Sequence, residues 1–84
     1  MTIAERIRWA RSIAGLSSRK LDKAAGLRPG HVSMIESRDA HNLDTETATK
    51  LSHALGVSLD WLVNGDGREP SERALRAVGE RAAS

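Results

Sequence analysis

The chain predicts an all-α fold: a bundle of five short helices carrying a helix-turn-helix, with a further helical segment after it. Apolar residues recur at helical spacing throughout, and no stretch alternates with the period of two that marks a strand. Serine or aspartate stands before most of these segments and glycine after them, which are the start and stop signals of helices. Each element follows from its own residues.

Ile3, Ile7, Ala10 and Ala14 give the first helix a buried stripe, which Gly15 ends. Ser17 caps a second helix whose Leu21, Ala24 and Ala25 face inward, and Gly26 is free to take the left-handed conformation of a sharp turn. Pro29 suits the first position of a third helix, with Arg28 extended before it as the cap. On that helix Val32 and Ile35 point into the core, while His31, Ser33, Met34 and Ser37 point elsewhere. After a polar loop, Asp44 caps a fourth helix that ends at Gly56, with Ala48, Leu51, Ala54 and Leu55 inward. Ser58 caps a short fifth helix bearing Leu59, Trp61, Leu62 and Val63, closed by Asn64 and Gly65.

The helix-turn-helix domain is expected over residues 1–65. Residues 66–84 read as a linker and tail, in which Ser71 starts a helical segment with a thin stripe of Leu75, Val78 and Ala82. Gly79 inside it costs about 1 kcal/mol relative to alanine, so this helix either docks on something or frays.

Composition narrows the function. Eighty-four residues make one small domain, too short for a deep enzyme cleft with its own supporting shell. The absence of cysteine removes disulfide frameworks and thiolate metal sites, and a reducing cytoplasm fits it. Neither a membrane span nor a signal peptide is visible. His31, His41 and His53 sit in no metal-binding motif, and there is no phosphate loop or nucleophile elbow, so no enzyme, metal or cofactor is expected. The formal charge of +2 hides an asymmetry: residues 1–30 carry seven Lys or Arg against two acids, and residues 31–84 carry six against nine. A basic first half is what an electrostatic footprint on phosphate looks like, although a solvated arginine-rich helical surface would read the same way.

The stretches GLSSRKLDKAAGL, VSMIE and LSHALGVSLDWLVNG occur in order, and through them residues 3–65 resemble the Cro and phage-repressor type of helix-turn-helix domain. The resemblance implies a five-helix bundle with the third helix in the major groove, the second across the backbone, and a homodimer on a two-fold-related operator. It places Arg11 and Glu36 as a structural ion pair joining the first helix to the reading helix. It also aligns Arg28, Pro29, Gly30, Ser33 and Met34 with base-reading positions, two of which offer no side-chain hydrogen bond. Base contacts then fall to Arg28, which can fork onto guanine or equally hold a phosphate, with help from Ser33 and from His31, for which a phosphate or solvent contact is the alternative, while Met34 either touches a thymine methyl or is a partly exposed filler. Phosphate contacts are expected from Ser18, Arg19, Lys20, Arg38, His41 and Asn42, and from the Gly30 backbone at a helix N-terminus. Asp22 replaces a small alanine of the family, and it either caps, pairs locally with Arg19 or Lys23, or alters the angle between helices.

Trp9 and Ile13 stand where relatives are usually polar. They are either drawn into a reorganised core or form an apolar stripe that receives Leu75 and Val78, from this chain or a partner. Leu59 and Val63 mark the family's more usual dimer contact. The resulting expectation is a cytoplasmic, homodimeric transcriptional regulator of repressor type acting on double-stranded DNA. The second reading is an antitoxin-like or adaptor module that binds a protein partner, with DNA secondary.

Overall fold

The computed structural model describes residues 1–83, which form six helices: α1 (Ile3–Ala14), α2 (Ser18–Ala25), α3 (His31–Ser37), α4 (Thr45–Leu55), α5 (Leu59–Asn64) and α6 (Glu72–Ala83). No strand occurs among the described residues. Local chemistry sets most of the boundaries. Thr2 and Glu5 form a reciprocal capping box at α1, and the side chains of Ser17, Asp44, Ser58 and Ser71 accept from the backbone N–H three residues on. α1, α2, α4 and α5 each end on a left-handed glycine.

α3 departs from this pattern and from the expectation that Pro29 opens it. It begins at His31, Pro29 and Gly30 form the turn, and Gly30 is the N-cap at φ +91° with no side chain to accept a hydrogen bond. The physical reason is that the turn must reverse direction within a few residues, and only glycine takes this φ without strain.

One core receives a contribution from every helix. Ile3 and Ile7 of α1, Leu21 of α2, Val32 of α3, Leu51 and Leu55 of α4, Leu62 of α5 and Leu75 of α6 are fully buried. Burying such a side chain contributes about 1.5–3 kcal/mol each. Ala24, expected inward, is exposed, because Leu21, Asp22 and Ala25 take the buried face of α2. Arg6 is buried as well. Its guanidinium donates to the carbonyls of Leu62 (2.8 Å), Val63 (2.9 Å) and Met1 (2.6 Å), so one cation satisfies the C-terminal end of α5 and pins the start of the chain.

α6 docks on α1 of the same chain. Gly79 is buried where the two helices cross, and a Cβ placed there would lie 1.6 Å from the Ala14 carbonyl oxygen. The glycine that weakens α6 as an isolated helix is therefore what lets its backbone reach α1. Trp9 is half-buried and meets Trp61 with ring centroids 5.8 Å apart and planes tilted by 56°, which draws it towards the core.

Candidate nucleic-acid interface

The α2–turn–α3 unit is held by an acid that belongs to neither the turn nor α3. Asp22, on α2 and only 2% exposed, accepts from the Gly30 N–H at 2.9 Å through one carboxylate oxygen and from the Val32 N–H at 2.8 Å through the other. α3 thus borrows its N-terminal cap across the turn. Of the roles open to Asp22 in the sequence, capping is the one adopted, but of a different helix from its own. The geometry also corrects the expectation that the Gly30 backbone offers a free donor to phosphate: that N–H is already bonded to a carboxylate. An uncapped start at Pro29 and Gly30 next to an acid in an alanine position was the sequence signal for this arrangement.

The opposite side of α3 is tied to α1. Arg11 grips Glu36 with two parallel hydrogen bonds, Nε to Oε2 at 2.8 Å and Nη2 to Oε1 at 2.8 Å, and its Nη1 donates to the Leu16 carbonyl at 3.1 Å. Arg8, which sequence reasoning did not single out, adds a contact to Glu36 at 3.2 Å. Burial pushes the Glu36 carboxyl up, but the hydrogen bonds and charges of the two arginines outweigh it and hold the carboxyl below its ordinary range. The hydrogen bond to Glu36, opposed by burial, raises Arg11 in turn.

With both flanks fixed, α3 presents Ser33 and Met34 outward, the latter 43% exposed, and His31 half-buried at its start. Arg28, His31 and Met34 line an open groove of about 700 Å³ together with Thr47 and Lys50 of α4, whereas Arg19 and Lys20 line a separate groove beside Pro29. The two grooves share Leu27 and Pro29 of the turn, and they gather Arg28, His31 and Met34 on one side and Arg19 and Lys20 on the other, while Ser33, Ser18, Arg38, His41 and Asn42 line neither. Arg19, Lys20, Arg28 and Arg38 are exposed, and among the described residues none of them pairs with a carboxylate. Ser18 is half-buried in the first turn of α2. His41 and Asn42 are exposed in the loop after α3, which is fastened to the start of α1 by Ala4 N–H to Ala40 O at 3.2 Å and by Thr2 Oγ1 to Asp39 Oδ1 at 2.9 Å.

The partner candidates separate into two groups. Leu75 is buried within the chain and Val78 half-buried, so α6 turns this stripe onto α1 and towards Gly56. Ile13 is half-buried against the core. Leu59, 38% exposed, and Val63, half-buried, remain at the surface of α5. No group of three or more His, Cys, Asp or Glu among the described residues is placed to hold a metal, and no described helix is long and apolar enough to cross a membrane.

Two short helices joined by a glycine turn, the second presented by a fixed scaffold amid unpaired cations, define a helix-turn-helix DNA-binding domain. The family model described as helix-turn-helix matches residues 7–62. Over 66 residues the chain is 41% identical to the repressor protein CI of Enterobacteria phage phi80, which covers 79% of this chain and 27% of that protein. The chain belongs to the helix-turn-helix family, in its Cro and phage-repressor branch. It spans about a quarter of the length of that relative. No solved structure matches it.

Proposed function

We propose that the chain is the operator-binding part of a repressor-type transcriptional regulator, laying α3 in the major groove as a homodimer. The observation that carries this reading is the set of unpaired cations Arg19, Lys20, Arg28 and Arg38 bracketing the exposed face of α3. Charges left without carboxylate partners are available to phosphate, while Arg8 and Arg11 of the same basic half are consumed by Glu36.

Base contacts fall to Arg28, with Ser33, Met34 and His31 beside it; backbone contacts fall to Arg19, Lys20, Ser18, Arg38, His41 and Asn42. Residues 1–65 supply this surface, and α6 braces α1 from behind. Dimerisation through Leu59 and Val63 fits the surface they leave open on α5. With Pro29 and Gly30 in the turn, sequence selectivity is expected to draw on DNA shape as well as on direct contacts.

Selection of bound sequences from a random duplex pool tests this. A two-fold-related pair of half-sites, with affinity falling steeply as salt rises, is the expected result. Failure to bind any duplex at low salt would overturn it in favour of an adaptor that binds protein.

A further inference from the structure

We infer that Asp22 is a positioning residue for DNA recognition: its carboxylate holds the Gly30 and Val32 N–H groups at the start of α3, and so sets the angle of the reading helix. The inference rests on the proposal that α3 faces DNA.

Both carboxylate oxygens are engaged, one by Gly30 and one by Val32, at 2.9 and 2.8 Å. The donors lie eight and ten residues away on the far side of the turn, so the two bonds act as a strut between α2 and α3 and not as a local cap. α3 has no side-chain cap of its own: Gly30 carries no side chain, and locally only the Arg28 carbonyl accepts, from the His31 N–H at 3.1 Å. A negative charge at a helix N-terminus is stabilised by the unpaired N–H groups and the helix dipole, the same attraction that draws phosphates to such ends. Here the Gly30 and Val32 donors are already met by a buried carboxylate. Discrimination between sequences then depends on where Asp22 holds Ser33, Met34 and Arg28.

The experiment compares unaltered protein with Asp22→Asn, whose carboxamide can accept from only one of the two N–H groups and carries no charge. Each is titrated with a random-sequence duplex and with the duplex selected by the unaltered protein, over a range of salt. The expected result is that preference for the selected duplex falls several-fold. A residue important only for folding would lower the folded fraction and weaken both duplexes alike; that result, or any other that leaves the ratio of the two affinities unchanged, overturns the inference.

If the variant does not fold, amide exchange on the unaltered protein decides. Gly30 and Val32 should be protected in the free protein and equally so with random duplex bound, whereas protection gained only on binding would show that phosphate, not Asp22, fills the site. Absence of duplex binding by the unaltered protein is a separate failure, seen before any variant is compared, and it removes the DNA reading together with this inference.

Discussion

Glu36 stands between two arginines of α1, and its charge should be felt both in stability and in the response to acid. Its side chain is only 7% exposed, so Glu36→Gln leaves the Arg11 guanidinium without its carboxylate partner and should cost about 2 kcal/mol in a urea titration at neutral pH. The sign with pH follows from the lowered carboxyl. Its contribution is fully present above the ordinary glutamate value of 4.5 and is lost as pH falls through the lower value it holds in the folded protein. The variant should therefore lose less stability than the unaltered protein between neutral pH and that acid range; equal losses would show that Glu36 carries no such linkage. At this scale the sequence was only partly legible. Arg11 and Glu36 are twenty-five residues apart, and only the family resemblance connected them. Arg6 and Arg8 were not readable either, because the Leu62 and Val63 carbonyls and the Glu36 carboxylate that they bind lie on other helices.

Among the elements, α6 gives the sharpest contrast between local propensity and packing. Taken alone, Gly79→Ala should strengthen a helix by about 1 kcal/mol. In the folded chain the new Cβ would collide with the backbone of Ala14, a group that cannot swing aside, so the substitution should instead destabilise by about 2 kcal/mol or release α6. Thermal unfolding followed by circular dichroism decides between the two signs. Helix starts at Thr2, Ser17, Asp44, Ser58 and Ser71 rest on bonds spanning three residues, and those short-range rules made most of the elements readable. The start of α3 was not readable in the same way, since its cap comes from α2 and its opening residues cannot cap themselves. The close crossing at Gly79 was equally hidden, because a glycine in a helix says nothing of what approaches it.

For the whole molecule, α6 is part of the single core and not a loose tail. Truncation after Gly67 removes the fully buried Leu75 and uncovers the face of α1 at Ala14, and it should lower unfolding stability by about 2 kcal/mol or more. Unchanged stability would mean that α6 contributes nothing to the fold. The same core holds α1 against α3 through Glu36 and α2 against α3 through Asp22, so the outward face of α3 is fixed from both sides. The most direct test of that account is amide NMR of the intact chain titrated with its selected duplex at low salt. The largest changes should fall on Ser33 and Met34 and on the flanking Arg19, Lys20, Arg28 and Arg38, with α6 unaffected; changes confined to α6 or to Leu59 and Val63, or none at all, would contradict it.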